Sequence, residues 1–284
     1  MCADSLEVLS GIPSGSVALV YVDPPFNTGS ARRGLRTVAR RDDGAARSGF
    51  AGRRYTVVPA ETQTYEDNFE DYLAWLEPRL RQTHRILSTS GSLYFHIDPR
   101  ESHYCKVLLD QIFGRESFLN EIVWAYDFGA RARRRWPAKH DVIFLYARDP
   151  NQYYFDAETV DREPYMAPGL QTPERAARGK LPTDVWWHTI VGTNSRERTG
   201  YPTQKPLGVM RRIIAASSRP GDLVVDWCAG SGSTGAACAE LGRRFLLVDK
   251  SRAATDLMQK RLEASATLLV SRTVSNWISQ TPVG

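Results

Sequence analysis

The sequence has 284 residues, 42% of them hydrophobic and 24% charged, with a formal net charge of +5. That balance belongs to a globular chain able to bury a full core, and no run of about 18 apolar residues exists that could span a bilayer. Cys2, Cys105, Cys228 and Cys238 stand far apart without a C-x-x-C pair, which argues against a disulfide framework and a zinc site.

In chain order, the apolar run Val17–Val22 predicts a buried strand that delivers Asp23-Pro24-Pro25-Phe26 at its carboxyl end. Residues 29–60 follow, rich in Gly, Arg and Ala. Eight arginines, Arg32 and Arg33 among them, face only Asp42 and Asp43 between Ser30 and Arg54, and the stretch reads as a long mobile basic loop. A helix is expected over 70–87, a strand over Leu93–Ile97 that runs into Asp98, and a helix over 102–113. His96, Asp98 and His103 lack a third ligand at convincing spacing, so no metal is expected. A second basic cluster holds Arg131, Arg133, Arg134, Arg135 and Lys139. Such concentrated charge suits a polyanion, with solvated loop charge as the plainer alternative.

Residues 149–204 carry six prolines and the aromatics Tyr153, Tyr154, Tyr165, Trp186 and Trp187, a composition that suits an inserted recognition segment better than more sheet. Trp186-Trp187-His188 reads either as a base-stacking surface or as a packed anchor. Helices are expected over 205–218, 233–241 and 252–264, and strands over Leu223–Val225 and Phe245–Val248, which run into Asp226 and Asp249. The final 20 residues read as a tail. Short, continuous β-rich runs alternating with helices give an α/β fold, a doubly wound, mostly parallel sheet that binds ligands at its strands' carboxyl ends. The expected division is a catalytic and cofactor-binding domain over 1–148 and 201–264, a target-recognition segment over 149–200, and a tail over 265–284.

Two motifs carry chemistry. Asp226-Trp-Cys-Ala-Gly-Ser-Gly-Ser-Thr-Gly235 follows a strand and opens a helix, and its glycines allow a tight turn and close approach of the backbone to a ligand. Gly230, Gly232 and Gly235 also spell G-x-G-x-x-G, which admits a nicotinamide-dependent oxidoreductase as the alternative. Asp226, placed before the glycines, can pair with an ammonium group, which S-adenosylmethionine has and NAD lacks. Asp249 can accept hydrogen bonds from ribose hydroxyls. In Asp23-Pro24-Pro25-Phe26 the prolines fix φ and leave a stiff turn with free carbonyls. An exocyclic amine bonded to Asp23 and to the Pro24 carbonyl would be drawn toward tetrahedral geometry, freeing its lone pair for attack on a methyl group. Phe26 would stack on the flipped base.

With these motifs the chain resembles the beta group of amino-DNA-methyltransferases, in which D-P-P-[YF] precedes the F-x-G-x-G cofactor motif. Asp23-Pro-Pro-Phe-Asn-Thr-Gly29 is similar to the catalytic signature, with Asn27 as a further active-site or turn-capping residue. Tyr201-Pro-Thr-Gln-Lys-Pro206 resembles the T-x-K-P segment, and Gly91–Asp98 and Asn120–Trp124 look like further core motifs. Ala3–Leu9 resembles the segment whose aspartate lies near the cofactor's adenine. The sequence departs at Cys228, where the group usually has Phe; the neighbouring Trp227 can take that packing role.

The resemblance implies a Rossmann-like, S-adenosylmethionine-dependent enzyme that methylates adenine N6 in DNA by direct transfer. It implies cofactor contacts from Asp4, Thr203, Lys205, Asp226, Cys228, Ala229, Gly230, Ser231, Gly232 and Asp249. Arg32, Arg33, Arg131, Arg133, Arg134 and Arg135 would grip phosphates. N4-cytosine transfer is the alternative, although those enzymes more often carry Ser in place of Asp23; a DNA-binding homologue without catalysis is another. C5-cytosine chemistry needs a cysteine nucleophile, typically in a Pro-Cys pair, and none occurs. Double-stranded DNA is the expected partner, with a homodimer and a cognate restriction endonuclease by analogy. A cytoplasmic, nucleoid-associated location is expected, with no membrane contact.

Overall fold

Strand β1 (Val17–Val22) buries five of its six residues, because it lies inside a sheet that is covered on both faces. The computed structural model describes residues 1–27, 32–42, 44, 54–65, 69–129 and 131–263; the expected tail over 265–284 lies outside them. The other strands of this sheet are β4 (Leu87–Ile97), β5 (Phe118–Ala125), β6 (His140–Ala147), β7 (Val185–Trp187), β8 (Leu223–Asp226) and β9 (Arg244–Leu247). Their order is β7-β5-β6-β4-β1-β8-β9. β6 alone is antiparallel to its neighbours β4 and β5; the other pairings are parallel.

Alternation along β1 explains the two layers. Val20 and Val22 pack with Leu76 and Leu80 of α2 (Tyr72–Ile86), Leu109 of α3 (Ser102–Phe113), and Leu9 of α1 (Ser5–Gly11). Leu19 and Tyr21 face the other way, toward Met210 and Ile213 of α5 (Leu207–Ser217) and Ala237 of α6 (Ser233–Glu240). Successive side chains on a strand point to opposite faces, so a continuous apolar run feeds both cores. α7 (Arg252–Leu262) places Met258 and Leu262 against Leu247. No helix among the described residues is long and apolar enough to cross a membrane.

Two expectations need correction. The stretch read as one long loop over 29–60 contains paired strands, β2 (Arg32–Arg41) and β3 (Tyr55–Tyr65), antiparallel from Arg41 against Tyr55 to Arg32 against Tyr65. A two-stranded ribbon satisfies its own backbone and needs no apolar face to pair, so periodicity did not reveal it. Residues 149–200, expected to stand apart from the sheet, supply its edge strand: Trp124 lies opposite Trp186 in the β5–β7 register. The segment is also laced to the core, through Tyr154 N–H to the Ser90 carbonyl (2.9 Å) and Asp156 N–H to the Ala216 carbonyl (2.7 Å). Its other helical turn, α4 (Pro173–Arg178), has no buried residue.

Candidate active site

β1, β4, β8 and β9 run in one direction, so Asp23, Asp98, Asp226 and Asp249 fall at one edge of the sheet. The order turns about β1: its next parallel partner in sequence, β4, lies on one side, while β8 and β9 lie on the other. A crevice opens where parallel connections diverge in this way. The cavity found there has a volume of about 470 Å³, within the range of about 300–1,000 Å³ usual for small-molecule pockets.

Asp23, Pro24, Pro25 and Phe26 line one wall. Asp23 is buried on its Oδ1 side, where it has no hydrogen-bond partner among the described residues. Its Oδ2 accepts from the Lys205 ammonium, and that ammonium also lies 5.3 Å from the Phe26 ring centroid. Lys205 was expected at the cofactor; the structure places its charge on the Asp23 carboxylate, while its carbonyl accepts from the Ser233 hydroxyl at 2.7 Å. Asn27 adopts a positive φ of 51° and ties two elements together. Its amide donates to Glu101 (3.0 Å) and its oxygen accepts from Phe69 N–H (3.2 Å), which holds Phe69 over the cavity rather than entering it.

The opposite wall carries the expected cofactor residues Asp226, Cys228, Ala229, Gly230, Ser231 and Asp249, with Thr203 nearby. Asp226 accepts from Thr234 Oγ1 (2.6 Å) and Cys228 N–H (3.1 Å). Burial raises its carboxyl to about 7 against the pull of those two bonds, and the charges of Asp23 and Asp249 add to the rise. Asp249 accepts from Gly230 N–H (2.9 Å) and Ser251 N–H (2.8 Å), and burial lifts its carboxyl too. The Cys228 thiol is pushed well above its usual range by burial and by Asp249, Asp226 and Asp23, so it is no thiolate nucleophile. Gly232 lies behind this wall rather than on it. At φ +73°, a Cβ there would meet Met258 Cγ at 2.8 Å, so it serves the turn into α6.

Asp4 reaches the cavity already engaged. It caps α1 by accepting from Leu6 N–H (2.8 Å), and both its oxygens accept from the single Nη2 of Arg79, at 3.0 and 2.9 Å. Arg79 was not singled out from the sequence. It is buried, donates to Ser5 (2.9 Å), and lies 4.3 Å from the Trp75 ring centroid. A signal existed: Arg79 falls on the Tyr72–Leu76–Leu80–Thr83 stripe of α2, where a charge requires a buried partner. Trp227 is fully buried, with its indole N–H on Thr83 (3.1 Å), and stands 6.3 Å from Trp75. These rings, with Phe69, give the cavity its aromatic floor.

The basic residues lie elsewhere. Arg131, Arg133, Arg134 and Arg135 are exposed in the β5–β6 connection, together with Trp136 (94% exposed) and Phe128. None of the four makes an ion pair among the described residues. That connection leaves the carboxyl end of β5, on the same edge as Asp23. The Arg32 and Arg33 backbones lie in β2, and their side chains fall outside what is described. Trp186 is a packed anchor, its N–H on the Thr183 carbonyl (2.7 Å), whereas Trp187 is 77% exposed. His96 is fully buried between Tyr21 and Asp141. Asp98 is occupied by Arg100.

The site suits the expected donor. A buried acid open to the cavity can face an ammonium, a second acid sits beside Gly230, and aromatic rings can take a nucleobase. Comparison with known proteins points the same way. Residues 17–260 match a family model described as DNA methylase. The chain is 28% identical to the DNA adenine methyltransferase YhdJ of Escherichia coli (strain K12), over 93% of this chain and 82% of that one. It is 26% identical to the Type II methyltransferase M.ScaI of Streptomyces caespitosus, over 93% and 80%. Among solved structures it is similar in fold to the PvuII DNA methyltransferase (cytosine-N4-specific), with a TM-score of 0.62 and 14% identity over 98% of this chain and 88% of that one. It is also similar to M1.HpyAVI in complex with SAM, with a TM-score of 0.56 and 18% identity over 92% and 96%.

Proposed function

The chain belongs to the DNA methylase family, and within it we propose that it methylates adenine N6 in double-stranded DNA, with S-adenosylmethionine as the methyl donor. The family assignment removes the nicotinamide oxidoreductase suggested by the glycines alone. One observation carries the exocyclic-amine reading: Asp23 Oδ1 is enclosed at the cavity wall with no hydrogen-bond partner among the described residues, beside a Pro24 carbonyl in a stiff turn. A buried acceptor without a donor is costly, and an exocyclic amine offers the two N–H groups that would satisfy this carboxylate and that carbonyl. The relative named for adenine methylation, aligned over most of both chains, supports adenine as the base.

Each residue then has a task. Asp23 and the Pro24 carbonyl accept the amine's hydrogens and draw its lone pair out of the ring. Phe26 takes the face of the flipped base. Asp226 pairs with the donor's ammonium and Asp249 takes its ribose, while Phe69, Trp75 and Trp227 enclose its adenine. When bound, the donor supplies an electrophilic methyl on a sulfonium. Arg131, Arg133, Arg134 and Arg135 hold phosphates at the rim, and residues 149–200 choose the sequence. A restriction endonuclease that cuts the same site is the proposed partner in the cell, in line with relatives called Type II methyltransferases.

Transfer of a labelled methyl group from S-adenosylmethionine to duplex DNA, followed by sequencing of the modified bases, tests this reading. N6-methyladenine at one sequence is expected. Label on cytosine alone, or none on any duplex, overturns it.

A further inference from the structure

Behind Asp23 runs a buried polar line that the reaction as described leaves idle. His96, on β4, is completely buried, and its Nδ1 lies 2.8 Å from the Tyr21 hydroxyl of β1 and 3.9 Å from Asp23 Oδ1. Its Nε2 lies 3.1 Å from Asp141 Oδ2 of β6, and Asp141 Oδ1 accepts from the Tyr126 hydroxyl at 2.9 Å. The rings of Trp124 (5.5 Å) and Phe26 (6.0 Å) close the remaining sides. An imidazole with this burial and these partners is too costly to be filler: two carboxylates, two phenols and an imidazole share one low-dielectric volume.

The tautomer follows from chemistry. The Asp141 carboxyl lies below its usual range: burial pushes it up, but the bond and charge of His96, the charge of Lys205 and the Tyr126 bond outweigh that. An ionised carboxylate can only accept, so His96 carries its hydrogen on Nε2. Nδ1 then holds a lone pair that accepts from the Tyr21 O–H, with the unpartnered Asp23 Oδ1 3.9 Å away. Lys205 occupies the other Asp23 oxygen, so a proton delivered to Asp23 arrives on the His96 side.

Resting on the methyl-transfer reading, we propose that His96, backed by Asp141, receives the proton given up by the amine as it is methylated. The bookkeeping balances. The N6–methyl bond forms as the S–methyl bond breaks, and the sulfonium keeps that electron pair as a neutral thioether. The N6 proton moves to Asp23 Oδ1 and then to His96 Nδ1, as the Tyr21 O–H turns off Nδ1 and its oxygen becomes the acceptor for the new Nδ1–H. The resulting imidazolium is held by Asp141, whose side chain, 11% exposed against 0% for His96, is the outlet to solvent. The 3.9 Å gap is of the kind that shortens in a substrate complex. His96 touches no substrate atom; it is a proton-accepting and positioning residue. The titratable groups facing it are Tyr21, Asp23, Asp141 and, beyond them, Lys205 and Tyr126.

The test compares wild type, His96→Gln and Asp141→Asn in single-turnover methyl transfer at saturating donor across pH 5.5 to 8.5, with donor affinity and Tm measured alongside. Wild-type rate should rise with pH along an acid limb, then level. His96→Gln should keep donor affinity, lose about tenfold or more in rate, and lose the acid limb. Asp141→Asn, of nearly unchanged shape, should move that limb to lower pH, because the imidazolium loses its counter-charge. Nitrogen NMR of the donor-free chain should show the neutral His96 ring with its hydrogen on Nε2 and Nδ1 bare, the state the relay requires. A His96→Gln profile that matches wild type in rate and limb overturns the relay alone, as does a His96 hydrogen found on Nδ1. A wild-type chain that binds the donor but methylates no DNA removes the methyl-transfer reading, and the relay with it.

Discussion

At the carboxyl ends of β1 and β8, Asp23 and Asp226 are enclosed, bonded to Lys205, Thr234 and a backbone N–H, and surrounded by rings that are themselves pinned. Along the same edge, the β5–β6 connection carries Arg131, Arg133, Arg134 and Arg135 with Trp136 in full exposure. The ligands proposed for the two regions differ in the same way. A small donor and one flipped base must be fixed to within fractions of an ångström, which requires preorganised, desolvated groups. A phosphate backbone can be met by solvated charge, where release of counterions does the work. The first region should therefore respond sharply to single atoms, and the second only to summed charge.

The largest break should come at the enclosed end. Asp23→Ala should cut methyl transfer by about a thousandfold while donor affinity measured by calorimetry stays close to wild type. A loss of donor affinity equal to the loss of rate would mean that Asp23 serves the donor instead. Next in size is pH. Because burial holds the Asp226 carboxyl at about 7, donor affinity should fall as pH drops below 7, by up to about tenfold per unit. Stability of the free chain has the opposite sign. The folded state keeps the proton that the unfolded chain releases near 4, so the cost of Asp226 is absent at low pH and complete above 7. Thermal melts of Asp226→Asn should lose that downward slope.

The exposed region should yield only to collective change. Replacing Arg131, Arg133, Arg134 and Arg135 by Ala should leave donor affinity untouched and flatten the dependence of log K for DNA on log salt, by about 0.9 for each arginine that met a phosphate. An unchanged salt slope would mark the cluster as mere solvated charge. Gly232→Ala sharpens the contrast from the other side: φ +73° and Met258 at 2.8 Å should cost about 1–2 kcal/mol in urea unfolding. The smallest effect belongs to Trp187→Ala. The ring is 77% exposed, so stability should move by no more than about 0.5 kcal/mol, and any larger consequence should appear only when DNA is present.

Much of this was legible before any coordinates. The runs Val17–Val22, Leu93–Ile97, Leu223–Val225 and, up to Leu247, Phe245–Val248 lie in strands, of which β4 begins earlier, at Leu87, because unbroken β-branched and aromatic stretches suit a sheet covered on both faces. The helix expected over 102–113 has those bounds, and α2, α5, α6 and α7 lie within two residues of expectation at each end. Asp23, expected at the flipped base, and Asp226 and Asp249, expected at the donor, share one edge because a residue that ends a parallel strand must fall on the sheet's carboxyl edge.

Other features were invisible for stated reasons. β2 and β3 pair through backbone, which no side-chain period reports, and β7 is three residues long, too short to show a period. Arg79 and Asp4 meet across 75 positions, as do Tyr21 and His96, and Lys205 reaches Asp23 across 182. Composition and local spacing determine which segments become strands and helices, because those depend on neighbours along the chain. They also determine which acids stand at strand ends. Which acid faces which base, and which carboxylate oxygen is left without a partner, is decided only when β1, β4, β6 and β8 are laid side by side. Those relations depend on strand order and register, and on the water that packing expels.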